Sequence, residues 1–241
     1  MVILHLNVII IFLILEVKLM INRFLPKNPT QVSILSGPFQ GAKMYLNLNT
    51  SKRKIFGLYE YVLNDWILKK IINKQFVLDI GANTGYDTYG FAHLLIKNGA
   101  TNPFVLSFEP DDYIELSTPK DWSTYKKCKI ELIKKYVGAI SNEQTITIDD
   151  AFSKYAPYLN GNGIIKMDIE GGEIEALKGA SNTLNNSNLD WLIEIHGKHL
   201  IPEVAKFFVD RSRPFLIKEL QPLPIIGHEN RQIFTTWLVT I

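Results

Sequence analysis

The chain has 241 residues, 46% of them hydrophobic and 21% charged, which suits one large domain with a proper core and argues against disorder. Lys and Arg number 26 against 24 Asp and Glu, and the net charge of +2 leaves no basic footprint for nucleic acid. A single cysteine, Cys128, excludes an internal disulfide and a cysteine-cluster metal site, and fits a reducing, cytoplasmic setting.

The first stretch, residues 1–21, is the compositional anomaly: only His5, Asn7, Glu16 and Lys18 are not apolar. A spanning helix wants about 20 apolar residues, and the two charges interrupt this run. A secretory signal would carry a basic start and a small-residue cleavage site, and neither is present. Three readings stay open: a membrane anchor, an extra core or oligomer element, or a segment upstream of a start at Met20. Residues 22–72 read as an N-terminal hairpin and helix, and 73–241 as the main domain.

Within 31–48, Gly37-Pro38 punctuates what reads as a small hairpin. Leu58, Tyr61, Val62, Trp66 and Ile67 recur at helical spacing and predict a helix from about Gly57 to Ile72. The pattern then alternates. Phe76 to Ile80 predicts a buried strand, Tyr86 to Lys97 a helix, and Phe104 to Phe108 a second strand. A third strand falls between Ile130 and Ile140, with its register open. Ile164 to Asp168 and Trp191 to Ile195 read as the fourth and fifth, each followed by a helix (Glu173 to Leu184, Val204 to Asp210). Phe215 to Leu220 and Ile233 to Ile241 close the chain as strands with no convincing helix between them. This alternation predicts an α/β fold, a three-layer Rossmann-like sheet of about seven strands, mostly parallel with an antiparallel last strand. In such sheets ligands bind beyond the carboxyl ends of the strands.

The strongest motif is Val77-Leu78-Asp79-Ile80-Gly81-Ala82-Asn83-Thr84-Gly85, a strand running through a glycine turn into a helix. Glycines let backbone approach a ligand closely. Asn83 stands where a dinucleotide fingerprint would have its second glycine, so a pyrophosphate has less access. An acid at Asp79 would repel phosphate but suits a ligand with an ammonium and a sulfonium. Asp79, Gly81, Ala82, Asn83 and Gly85 are therefore the cofactor-binding candidates in this loop. Glu109, ending the second strand, is placed to accept hydrogen bonds from ribose hydroxyls.

Asp168 ends the fourth strand, Glu170 lies in the following turn, and Glu173 reads as a helix cap favoured by the dipole. A buried pair of Lys166 with Asp168 or Glu170 is the structural alternative. At the end of the fifth strand, alternation puts Glu194 and His196 on one face. His196 is the natural general base near neutral pH.

Taken in order, the glycine loop, Phe108-Glu109-Pro110, Thr147-Ile148-Asp149-Asp150 and the block from Ile165 to Ala180 resemble FkbM-type methyltransferases. Ser36-Gly37-Pro38-Phe39-Gln40-Gly41 and Gly57-Leu58-Tyr59-Glu60 are similar to that family too. The resemblance implies S-adenosylmethionine as cofactor, with Asp168 also at its site, and usually O-methylation of a sugar, glycan or other small hydroxylated acceptor. It also implies that Tyr59 or Glu60 approaches the cofactor from the preceding helix. On this reading His196 is the base, with Asp168 and Glu170 orienting substrate. No metal is expected; the rival route has a divalent ion on Asp168, Glu170 and Glu194. Two other classes are weighed: a nicotinamide-dependent oxidoreductase, against which the missing glycine argues, and a non-catalytic binding protein held at a membrane by residues 1–21.

Overall fold

The computed structural model describes residues 26, 28–111, 125–219 and 234–241. The apolar segment 1–21 lies outside the described residues, as do Leu220 and Ile233, which the sequence placed in the closing strands. Among the described residues no helix is long and apolar enough to cross a membrane.

Strands β1 (Thr30–Ser33) and β2 (Lys43–Leu46) pair antiparallel as the expected hairpin. A short helix, α1 (Lys52–Ile55), follows, and then α2 (Asn64–Lys70). The helix expected from Gly57 therefore starts later. Gly57 (φ 64°) and Glu60 (φ 48°) both take left-handed backbone, which a continuous helix cannot contain. Residues Tyr61–Leu63 form only a 3₁₀ turn before α2.

The main sheet, among the described residues, has seven strands. In chain order they are β3 (Phe76–Ile80), β4 (Phe104–Phe108), β5 (Lys129–Ile133), β8 (Gly163–Met167), β9 (Leu189–His196), β10 (Phe215–Glu219) and β11 (Thr235–Thr240). Between β5 and β8 lie a two-stranded pair, β6 (Tyr136–Val137) with β7 (Thr145–Ile146), and helix α4 (Ile148–Lys154). Helices α3 (Tyr86–Lys97), α5 (Glu173–Lys178) and α6 (Ile201–Val209) complete the alternation. The spatial order is β10-β11-β9-β8-β3-β4-β5. β11 alone runs opposite to the other six strands, so the antiparallel last strand is present. The helix expected to reach Leu184 ends at Lys178, and Thr183–Asn185 is a separate 3₁₀ turn.

Alternate residues of each buried strand serve opposite faces. Val77, Val105, Ile164 and Leu192 pack with Phe91, Ala92 and Leu95 of α3, Trp66 and Ile67 of α2, and Ile34, Met44 and Leu46 of the hairpin region. Leu78, Leu106, Ile165 and Ile193 pack on the other face with Ala151, Leu177, Val204 and Phe208. Each fully buried Val, Leu, Ile, Phe or Met side chain among them contributes roughly 1.5–3 kcal/mol, and together the two faces make three layers. Thr147 caps α4 by accepting from the Asp150 N–H at 3.0 Å. The carboxylate of Asp149 accepts from the Asn182 and Thr183 amides, each at 2.9 Å, and from the Thr183 hydroxyl at 2.6 Å. The Thr147 to Asp150 motif is thus a clamp between α4 and the turn after α5.

Candidate active site

The strand order reverses at β3, whose sequence successor β4 lies on one side and β8 on the other. This switch point opens a crevice beyond the strand ends. Gly81, directly after β3, has φ 80°, and a Cβ there would lie 1.8 Å from the Asp168 carbonyl oxygen. Only glycine lets the β3 and β8 ends approach so closely. The Gly81 and Ala82 N–H groups donate to the Phe108 carbonyl at 2.9 and 3.0 Å, and Asn83, at φ 46°, turns the chain into α3.

Two adjoining clefts share Asn83, Asp168 and Glu170. One, of about 600 Å³, also has Gly81, Glu109, Pro110, Asp111, Tyr136 and Ile169 on its walls. The other, of about 580 Å³, adds Tyr59, Glu194, His196 and the segment Thr50–Lys54. The first holds four carboxylates and no Lys or Arg among its described lining residues. Glu109 is buried at its wall; its Oε2 accepts from the Asn83 N–H at 2.8 Å and its Oε1 from the Asp111 N–H at 3.1 Å. The basic groups sit on the second cleft, where the Lys54 ammonium lies 4.8 Å from the Tyr59 ring centroid and 5.1 Å from that of Tyr86. Burial lowers the Lys54 pKa against the pull of Asp87 and Glu60.

Not every expected cofactor residue reaches these clefts. Asp79 is fully buried and lines neither. Its Oδ2 accepts from the Thr88 hydroxyl at 2.6 Å, and its Oδ1 lies 3.2 Å from the Lys166 ammonium. The parallel register sets Asp79 opposite Lys166. Lys166 also stands 3.4 Å from Asp87 and 3.9 Å from Asp168, and donates to the Gly81 carbonyl at 3.1 Å. Burial opposes its charge, but Asp79, Asp87, Asp168 and Glu60 outweigh that and keep it protonated. The lysine pair weighed from sequence exists, with Asp79 as its nearest acid. Glu60 lines a cavity of about 20 Å³ with Tyr59, Asp87, Lys166 and Trp237, so only Tyr59 of that pair reaches the larger cleft. Ala82 and Gly85 line neither cleft.

At the far end, His196 Nδ1 lies 2.7 Å from Glu173 Oε1, and Nε2 lies 3.4 Å from Asp168 Oδ1 and 4.0 Å from Glu194 Oε2. Glu173 is fully buried, and its Oε1 also accepts the Gly171 N–H at 3.0 Å. It does serve the start of α5, but its contact with His196 was not foreseen. Burial resists protonation of His196, yet the Glu173 hydrogen bond and the charges of Asp168, Glu173 and Glu170 raise its pKa overall.

Residues 134–217 match the Methyltransferase FkbM domain. The matched segment contains Asp168, Glu170, Glu173, Glu194 and His196, whereas the glycine loop and Glu109 precede it. Among solved structures, the chain is similar to an FkbM methyltransferase from Methylobacillus flagellatus, with 19% identity, 77% of this chain and 54% of that one covered, and a TM-score of 0.44. It thus spans about half the length of that protein. It is also similar to fibrillarin from Aeropyrum pernix with natively bound S-adenosyl-L-methionine (11% identity, 71% and 68% covered, TM-score 0.42). A third is a precorrin-6y C5,15-methyltransferase from Geobacter metallireducens (11% identity, 76% and 87% covered, TM-score 0.41). No curated protein sequence matches the chain.

Proposed function

We propose that this chain transfers the methyl group of S-adenosylmethionine to a hydroxyl of a sugar, glycan or other small metabolite. The observation that carries this reading is the charge of the first cleft: Glu109, Asp111, Asp168 and Glu170 without a lysine or arginine. A pyrophosphate would be repelled there, which disfavours a nicotinamide dinucleotide, whereas a ligand bearing ammonium and sulfonium charges is favoured. Glu109, its two oxygens fixed by the Asn83 and Asp111 amides, keeps lone pairs for ribose hydroxyls. Ile169 and Tyr136 offer apolar and aromatic surface for a base.

S-adenosylmethionine supplies a methyl carbon whose bond to sulfur breaks, with its electron pair, as the acceptor oxygen takes the methyl. The protein's work is alignment and proton removal. Asn83, Asp168 and Glu170, shared by both clefts, form the junction across which the methyl passes. The acceptor occupies the second cleft, its hydroxyl among Asp168, Glu194 and His196. These groups surround the hydroxyl as it loses its proton, with Glu173 fixing the imidazole. The acceptor itself would be identified by incubating the protein with methyl-labelled adenosylmethionine and a cell extract. The reading expects a labelled methyl ether of a hydroxylated acceptor and a thermal shift with adenosylmethionine but not with NAD. A shift with NAD alone sinks it.

A further inference from the structure

At the acceptor end of the crevice, one nitrogen and two carboxylates face a common point. We propose that Asp168, Glu194 and His196 hold a divalent cation of the Mg²⁺ or Mn²⁺ type, which receives the acceptor hydroxyl; its role in turnover rests on the methyl-transfer reading above.

The donor atoms of these three side chains lie within 4.8 Å of one another. Opposite ligands of an octahedral Mg²⁺ are about 4.2 Å apart, so a small inward turn of the carboxylates brings all three into bonding range. Acidity alone would not make a site here. The independent feature is the imidazole: its Nδ1 is taken by Glu173, itself fully buried, at 2.7 Å, so Nε2 is the nitrogen aimed at Asp168 and Glu194. A ligating histidine is oriented in this way by a carboxylate on its other nitrogen. The tautomer with hydrogen on Nδ1 leaves a lone pair on Nε2. Glu194 is 1% exposed yet forms part of the cleft wall, so its charge is withdrawn from bulk water and close to the same point.

Two carboxylate oxygens and one nitrogen suit Mg²⁺ or Mn²⁺ and leave coordination positions for water and a substrate oxygen. A coordinated hydroxyl loses its proton more readily. That proton leaves to water in the open cleft, and the resulting alkoxide forms the new carbon–oxygen bond as the carbon–sulfur bond breaks. In this arrangement His196 serves as a ligand instead of the base read from sequence. The ligand set differs from the one weighed there by exchanging Glu170 for His196.

The test titrates Mn²⁺ into the full chain and follows loss of the free-ion signal by electron paramagnetic resonance. The expected result is one tight site per chain, displaced by excess Mg²⁺ and weakened at least about tenfold in Asp168→Asn and Glu194→Gln. Glu173→Gln weakens it by about 10–100-fold, as for other residues that orient a metal ligand. Glu175→Gln, on the exposed part of the same helix, binds like the parent. Thermal shift with adenosylmethionine, run on Glu194→Gln, checks that this variant is folded. Absence of a stoichiometric site, equal binding in both ligand variants, or undiminished methyl transfer after chelation overturns the inference. Chelation-resistant turnover would leave the methyltransferase reading standing. Conversely, Mn²⁺ binding without any adenosylmethionine binding would sink that reading and keep the site.

Discussion

The buried carboxylate of Glu173 holds His196 by its Nδ1 at 2.7 Å, across 23 residues of sequence. The pair fixes the ring orientation, so Nε2 alone is presented to the carboxylates at the cleft. Replacing Glu173 by alanine is expected to lower kcat by about 10–100-fold, the usual scale for losing an orienting partner. The affinity for adenosylmethionine should stay within a factor of two or so of the parent, because Glu173 lines neither cleft. Steady-state kinetics with the identified acceptor, alongside calorimetric cofactor binding, would show the split.

Gly81→Ala is expected to be among the most damaging single changes. Its Cβ would meet the Asp168 carbonyl at 1.8 Å, and its φ of 80° is strained for any L side chain. The cost should be on the order of 3 kcal/mol or more. Denaturant unfolding would measure it, and adenosylmethionine should no longer shift the melting temperature.

Lys166 neutralises Asp79 where neither meets water. Lys166→Met should destabilise by about 3–5 kcal/mol, since it strands a buried carboxylate. Adding Asp79→Asn should recover part of that loss, so the two changes together cost less than their sum. Additive effects in a double-mutant cycle would show that the pair is not coupled.

Asp190 receives Lys70 at 2.8 Å and Lys74 at 2.7 Å, tying the segment around α2 to β9. Burial raises its pKa, but the hydrogen bonds and charges of the two lysines overcome this and hold it below the usual carboxylate value. A depressed folded pKa contributes stability above the unfolded value of about 3.9 and loses it as pH falls through the folded one. Asp190→Asn should therefore be less stable than the parent by about 1–2 kcal/mol from pH 5 to 7. The gap should close below about pH 4. Unfolding curves taken across that range would reveal a gap that instead persists in acid.

The central strands were legible because their burial is total. Phe76 to Ile80 and Phe104 to Phe108 are unbroken buried runs, and the sequence set both at their observed bounds. Strand β5 was blurred because it is a sheet edge: Lys129 and Glu131 interrupt its apolar pattern and all five residues keep some exposure. The helix before β3 was overextended, since helical spacing does not reveal that Glu60 adopts left-handed backbone. At the site, titratable groups at strand ends pointed to Glu109, Asp168, Glu194 and His196. The partner of Asp79 was hidden because it depends on the β3–β8 register, which places Lys166 across from it. Glu173 resembled an ordinary cap because its second partner, His196, comes from the end of β9.

Asn83, Asp168 and Glu170 belong to both clefts at once, so two ligands seated there would share part of their lining. Any movement of these side chains by one occupant is felt by the other as a change in its binding free energy, and by linkage the effect is mutual. The order in which cofactor and acceptor enter would then be written in three side chains, and mutations there should disturb both affinities together.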